Sequence, residues 1–453
     1  MEKEVEEVLS RGVGEFIDPE GKFKEKLLKK IKGEYQKDII IKLGIDPTRP
    51  DIHLGFAVVL RKLRQFQNLG CKVVFIVGDF TAGIGDPTGK SKVRPELQHE
   101  EIRKNAETYI SQVSKILKTD DPTLFSWVRN SDWFTNITDL NLPSDYKIDM
   151  DVNMEGKTGK IPIAPNSFVG KAVVFEQTRM QVKDLGLKDH ISVITLANVL
   201  WTLRKITHSQ LVSRDMFQER IKAGEELYMH EMMYPVLQGI DSFVLSQIYG
   251  SCDLEIGGTD QTFNMLMGRD IMKGNGVEAQ SVMSMELLVG LEGKEKMSKS
   301  LDNYVGITEI PRDMFGKIMS ITDSVIGTYF KLATYTPLSE LEEIESKLSN
   351  GKENPRDIKA RLAREVVAIY HGEAAALAAE KDFEQTFSKR GVPENIPVVQ
   401  VSKDFSLVDI LIEQGLVSSK TEFNRLMKAG AIEEKENGVY RIGKHRFLKI
   451  EIL

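Results

Sequence analysis

Two cysteines in 453 residues, Cys71 and Cys252, are too few and too far apart for a disulfide framework or a cysteine-rich metal site. No apolar run reaches the ~18 residues that a membrane span requires. Positive charge is not in excess: the net charge of −6 argues against coating nucleic acid non-specifically and leaves only local basic patches open. The N-terminal MEKEVEEVLSRGVGEF is acidic and amphipathic, unlike a secretory signal or an arginine-rich transit peptide, so a cytoplasmic protein is expected. No internal repeat is visible. What is present is ordinary globular material, 41% hydrophobic and 28% charged, in a chain long enough for two to three domains.

Residues 39 to 45, IIIKLGI, read as a short buried strand, and residues 54 to 69 space their apolar side chains as one helix face before a Gly70 stop. KVVFIVGDF, residues 72 to 80, reads as the next buried strand. Strand, helix and strand over so short a span predict a βαβ unit, hence an α/β fold with a parallel sheet. Helical patterns follow at 100 to 117 and 195 to 223, and CDLEIGG, 252 to 258, reads as a strand entering a turn. Between Trp133 and Thr195 periodicity is lost, which suggests an insertion. Residues 337 to 390 turn helical and charged, GVPENIPVV reads as a linker, and a compact tail ends the chain.

Several loops carry candidate chemistry. Asp46-Pro47-Thr48-Arg49-Pro50-Asp51-Ile52-His53-Leu54-Gly55 leads into a helix N-terminus, where free N–H groups and the dipole favour phosphate; a structural turn capped by Asp51 is an equal reading. Gly83-Ile84-Gly85-Asp86-Pro87-Thr88-Gly89-Lys90-Ser91 narrowly misses both the P-loop and the dinucleotide spacing. It leaves a Gly-rich turn bearing Asp86, Lys90 and Arg94. His230-Glu231 begins like a zinc-protease motif, but Tyr234 stands in the second histidine's place. Tyr234, Gln238 and Asp241 share one helix face, as a solvated stripe or as the wall of a pocket. Gly257-Gly258-Thr259-Asp260-Gln261 is either a tight turn or a ligand loop whose Asp260 accepts hydroxyl hydrogen bonds. GKEKMSKSLDNYVGI gathers Lys294, Lys296 and Lys299 in a cationic segment with little to pack.

Together, His53-Leu54-Gly55, which resembles a HIGH signature, and the full Lys296-Met297-Ser298-Lys299-Ser300 look like a class I aminoacyl-tRNA synthetase. With DPTRPDIHLG, IGDPTGKS, YPVLQGID and IGGTDQ in order, the chain resembles the bacterial-type tyrosyl-tRNA synthetases over nearly its whole length. The resemblance implies a Rossmann-like parallel sheet at 39–305, interrupted by the insertion at about 134–194 and preceded by an N-terminal helical segment, 1–38. A helical tRNA-binding domain at 306–390, a linker at 391–401 and a small S4-like α+β RNA-binding domain at 402–453 would follow.

The implied reaction is ATP-dependent activation of L-tyrosine to tyrosyl-adenylate, then transfer of tyrosine to tRNA(Tyr). ATP is a substrate, Mg2+ comes with it, and no dedicated protein metal site is implied. His53, Lys90, Arg94, Lys296 and Lys299 are the implied catalytic residues, with Thr48, Gly55, Asp260 and Ser298 joining Lys296 and Lys299 around ATP. Asp86, Tyr234 and Gln238 are implied for the α-ammonium, Gln261 for the carboxylate, Asp241 for the phenol and Asp46 beside them. Lys420, Arg425, Lys428, Arg441, Lys444 and Arg446 are implied for tRNA, in a tail with nine basic and eight acidic residues. A homodimer without membrane attachment is also implied. The chain departs from the pattern in three places: Phe56 replaces the second HIGH histidine, Lys42 stands where many relatives have a tyrosine, and the insertion is long. A paralogue that binds RNA without activating an amino acid is the alternative that Phe56 favours and the intact KMSKS disfavours.

Overall fold

A computed structural model of the chain describes residues 2–87, 99–134, 148–154, 157–163, 179–180, 191–192, 196–298, 301–351, 353–388, 396–401, 405–428, 430–434, 438–443 and 446–452. The chain divides into two compact units, one of Met1–Leu288 with Met297–Asp302 and one of Val289–Lys296 with Asn303–Leu453. Among the described residues no helix is long and apolar enough to cross a membrane.

The first unit is built on strands β1 (Val13–Ile17), β2 (Ile40–Ile45), β3 (Lys72–Val77) and β4 (Phe125–Arg129). Two short hairpin pairs follow, β5 (Ile148–Met154) with β6 (Lys157–Ile163) and β7 (Arg179–Met180) with β8 (Ile191–Ser192). Strands β9 (Leu254–Gly258) and β10 (Ser281–Met285) return to the main sheet, whose order is β1-β10-β9-β2-β3-β4. All neighbours in it pair parallel except β1 on β10. Strands covered on both faces must be apolar throughout, and IIKLGI and KVVFIV meet that demand apart from the half-buried Lys72 at the start of β3 and the fully buried Lys42 inside β2. Chain order reverses between β2 and β9. Such a switch point opens a crevice at the carboxyl ends of those strands.

The helices of this unit are α1 (Glu2–Ser10), α2 (Lys22–Ile31), α3 (Leu54–Asn68), α4 (Asp79–Ile84), α5 (His99–Val113), α6 (Ser131–Phe134), α7 (Leu196–Leu203), α8 (His208–Val212), α9 (Asp215–Ala223), α10 (Met229–Tyr249) and α11 (Thr262–Gly274). Three expectations change. The N-terminal segment holds a strand as well as helices, because β1 completes the sheet as an antiparallel edge. The strand expected to run to Phe80 stops at Val77, and the Gly-rich stretch begins inside α4, where the Phe80 N–H is held by the Asp79 and Asn130 side chains. The single pattern at 195 to 223 is three helices, broken where Thr207 and Gln210 form a capping box.

Helix α3 buries a cation that its sequence does not explain. Lys62 is 3% exposed, donates to the Val8 carbonyl at 2.6 Å, and lies near the buried Arg11 and Arg61. Burial first, and Arg11 next, bring its pKa down to about 7. An unfolded lysine keeps its proton to about pH 10.4. Between those values the unfolded state therefore binds the extra proton, and stability rises with pH. Lys62→Met removes this cost, so it is expected to raise the melting temperature, and by more at pH 6 than at pH 9. A gain that grows with pH would refute the assignment.

The second unit holds α12 (Pro311–Met319), α13 (Ile326–Ala333), α14 (Leu338–Ser349), α15 (Pro355–His371) and α16 (Glu373–Ser388). Val289 and Lys296 form an isolated bridge there, and Tyr329 donates its hydroxyl to the Val289 carbonyl at 2.8 Å. The tail folds a second sheet from β11 (Val398–Val401), β12 (Ile432–Glu434), β13 (Val439–Ile442) and β14 (Arg446–Ile452), in the order β11-β14-β13-β12. Helices α17 (Leu407–Glu413) and α18 (Lys420–Lys428) accompany it, and Leu411, Val417, Ile442 and Leu448 fill its core.

Candidate active site

At the carboxyl end of β2 the chain turns at Asp46, whose two oxygens are both engaged. Thr81 donates to Oδ1 at 2.8 Å and the Tyr234 hydroxyl to Oδ2 at 2.9 Å. The carboxylate is pressed so closely on Gly78 that a Cβ there would collide with it and with the Thr81 hydroxyl. Tyr109, on α5, donates to the Arg49 carbonyl at 2.7 Å and secures the segment between β2 and α3. Thr48 lies in this segment, partly exposed.

His53 is the N-cap of α3, buried, with Nδ1 accepting the Gly55 N–H at 3.1 Å. A Cβ on Gly55 would stand 2.9 Å from the His53 ring and 3.5 Å from the Cβ of Met297. Only glycine fits. Met297 is itself buried, with its N–H on the Leu288 carbonyl at 2.8 Å. Met297 and the turn at Gly55, far apart in sequence, therefore meet at one helix N-terminus. Phe56 lies close by on α3, with its ring centroid 4.7 Å from that of His53. It braces the imidazole by packing.

Asp241 lies 4% exposed on α10, not in a solvated stripe. The Trp133 indole N–H donates to its Oδ1 at 2.9 Å, and Asn130 approaches Oδ2 at 3.5 Å. Burial pushes the Asp241 pKa up to about 7, against the pull of the Lys42 ammonium and of these two donors. Asn130 is 0% exposed and also donates to Thr81 at 2.9 Å. A continuous chain of hydrogen bonds thus runs from Trp133 through Asp241, Asn130, Thr81 and Asp46 to Tyr234.

A second chain starts at Asp86, which accepts from Gln261 at 2.7 Å. Asn264 donates to Gln261 Oε1 at 3.0 Å and to Gln238 Oε1 at 3.1 Å, and Gln238 Nε2 donates to Glu255 at 3.0 Å. Glu255 is paired with Lys42 at 2.8 Å. Asp260 follows β9 in the 3-10 turn Thr259–Gln261. Arg214, buried and immediately before α9, has its guanidinium 5.5 Å from the Phe263 ring and feels the charges of Asp86 and Asp260. Desolvation holds its pKa below the usual arginine range, and those carboxylates oppose that effect.

Asp46, His53, Gly55, Asp86, Tyr234, Gln238, Asp241, Asp260 and Gln261 thus lie on the strand ends and helices around one crevice. Lys90, Arg94, Lys299 and Lys444 lie outside the described residues, as does most of the insertion. Lys296 belongs to the second unit, where its carbonyl accepts from Asn303 at 3.2 Å; Ser298 belongs to the first. In the tail, Lys420, Arg425 and Lys428 are exposed on α18, Lys420 facing Asp409 at 3.5 Å and Arg425 facing Glu422 at 3.8 Å. Arg441 pairs with Glu433 at 2.6 Å, and Arg446 donates to the Leu416 carbonyl. Glu231 pairs with Arg220 at 2.9 Å, which accounts for the abortive zinc motif as structural. Sequence reasoning missed Thr81, Asn130, Trp133, Arg214, Glu255 and Asn264. Only Glu255, a charge inside a strand-like run, gave a signal.

The family model described as class I tRNA synthetases (W and Y) matches residues 34–142 and 188–388. A "Tyrosine–tRNA ligase 2" of Vibrio cholerae is 38% identical over 98% of this chain and 97% of its own. A "Tyrosine–tRNA ligase" of Francisella tularensis is 38% identical over 99% of both. A C-terminally truncated mitochondrial tyrosyl-tRNA synthetase of Coccidioides posadasii shares the fold, with a TM-score of 0.56 at 20% identity over 84% of this chain and 91% of that one. The chain belongs to the class I tRNA synthetase family of the W and Y type. Within that family it stands with the bacterial-type tyrosyl-tRNA synthetases.

Proposed function

We propose that the chain is a tyrosine–tRNA ligase, which joins L-tyrosine to ATP as tyrosyl-adenylate and then to the 3′ end of tRNA(Tyr). The observation that carries this reading is the meeting of Met297 with the Gly55 turn that His53 caps, beside a crevice lined by the buried carboxylates of Asp86 and Asp241. Carboxylate attack on the α-phosphate needs no general base, because the nucleophile is already ionised. The barrier is charge building on phosphate oxygens, so positioning and electrostatic stabilisation carry the catalysis.

His53, Gly55 and Thr48 at the α3 N-terminus are the groups for the triphosphate, where the helix dipole favours negative charge. Lys296, Ser298 and Lys299, with Lys90 and Arg94, complete the charge around the departing pyrophosphate, and Mg2+ arrives with ATP. Asp260 takes the ribose, and Asp86, Tyr234 and Gln238 take the α-ammonium. Gln261 takes the carboxylate, Asp46 fixes Tyr234, and Asp241 accepts from the phenol.

The exposed cations of α18, with Arg441, Lys444 and Arg446, are suited to tRNA phosphates, and helices at 306–390 add to that surface. On α7, Leu200 and Trp201 are about half exposed. Apolar surface of this kind supports a homodimer. The substrates are those of translation, which argues for a cytoplasmic reaction. Exchange of pyrophosphate into ATP with each of the twenty amino acids tests the reading: tyrosine alone should support rapid exchange. Exchange with another amino acid, or with none, would overturn it.

A further inference from the structure

Lys42 stands in the middle of β2 and is 0% exposed. Its ammonium has three partners, all at 2.8 Å: it donates to the Gln238 carbonyl and the Ser242 hydroxyl, and it is ion-paired with Glu255 Oε1. These partners hold the ammonium within the protein. Glu255 is equally saturated: Oε1 receives Lys42 and Gln238, and Oε2 receives Ser242 at 3.1 Å and the Gln280 amide. A buried pair survives only when its remaining lone pairs and protons are satisfied, and here they are. Both of its side chains reach α10 between Gln238 and Ser242, and Asp241 lies between those two residues.

We propose that the Lys42–Glu255 pair forms the electrostatic floor of the tyrosine pocket, in which Lys42 is a positioning residue that fixes the charge of Asp241 and the setting of Gln238 without touching substrate. This rests on the reading of Asp241 as the phenol acceptor. The charges that act on Asp241 are those of Lys42 on β2 and Glu255 on β9, and its uncharged donors are Asn130, just after β4, and Trp133 in α6. Burial favours the neutral acid, Lys42 is the strongest influence toward the carboxylate, and Glu255 acts weakly the other way. Through Gln238, Asn264 and Gln261 the same pair reaches Asp86. The two ends of the bound amino acid are thus read by one connected framework.

The test is the ratio of kcat/KM for tyrosine to that for phenylalanine in pyrophosphate exchange, followed from pH 5.5 to 9. Phenylalanine cancels every titration that does not involve the phenol, and kcat/KM reports the free enzyme. In the wild type the ratio rises with pH as Asp241 ionises. Lys42→Met should move that rise up by roughly one pH unit. Glu255→Gln, nearly isosteric and the milder change, should move it down by less. Opposite shifts from two neighbours follow from charge, whereas loosened packing would move both variants alike. Shifts in the same direction, or an unmoved Glu255→Gln profile, would overturn the proposal. A wild type without tyrosine-dependent exchange would instead overturn the functional reading beneath it.

Discussion

Alanine at both Lys296 and Lys299 is expected to lower the rate of tyrosyl-adenylate formation by roughly a thousand-fold or more, while tyrosine affinity changes little. The reason is where the charge appears. In the proposed reading tyrosine binds as a zwitterion whose ammonium, carboxylate and phenol are served by Asp86, Tyr234, Gln238, Gln261 and Asp241. None of these contacts needs the lysines. Once the carboxylate attacks, negative charge moves onto the departing pyrophosphate, and compact cations become useful only then. The backbone on one side of this segment is fixed, with Lys296 bridged to Val289 and its carbonyl held by Asn303. On the other side, Met297 is buried against the Gly55 turn. Pre-steady-state measurement of adenylate formation, alongside equilibrium tyrosine binding, separates the two effects. Equal losses in both would mean that the lysines hold the pocket together instead of serving the transition state.

How much of this was readable beforehand depends on the range of the contacts. The β2-α3-β3 unit was legible because two strands buried on both faces must be continuous apolar runs, and the helix between them must repeat at 3.6. The loops after β2 and β9 were legible because they place Asp, His and Gly next to strand ends. By contrast, β1 pairs with a strand far along the chain, and its short VGEFI carries no mark of that partner. Lys42 is the clearest case. A lysine inside an apolar strand signals a buried partner, yet nothing local identifies Glu255. Asn130 and Trp133 follow a strand whose pattern gives no hint that they orient Asp241. Their role exists only once β4 lies beside β3 and α10 brings Asp241 to them.

The four carboxylates of the crevice, Asp46, Asp86, Asp241 and Asp260, are held apart in role by their environments. Asp46 is engaged by Thr81 and Tyr234, so it fixes geometry. Asp86 shares Gln261 and lies within the field of Arg214, which suits its proposed role of receiving an ammonium and then releasing it. Asp241 is deeply desolvated, which suits its proposed role as the selective one. Burial makes an acceptor expensive to leave unmatched.

Asp241→Ala is therefore expected to cut tyrosine activation steeply and phenylalanine activation little, so that the ratio between them narrows. Phenylalanine lacks one hydroxyl, and a purely apolar pocket would discriminate weakly on that basis. In the intact pocket, bound phenylalanine leaves a buried carboxylate without the additional donor that the phenol supplies, at a cost of roughly 1–3 kcal/mol and more if the group stays charged. Removing the carboxylate removes that penalty for phenylalanine and the hydrogen bond for tyrosine at once. On these magnitudes the ratio falls by about ten- to a hundred-fold. The Trp133 indole N–H and the Asn130 amide lose their acceptor too, so some stability is lost, and a melting curve must accompany the kinetics. The comparison of the two amino acids on one variant cancels that loss. Measuring kcat/KM for both in pyrophosphate exchange decides the matter: an unchanged ratio with an intact fold would mean that a group other than Asp241 reads the phenol.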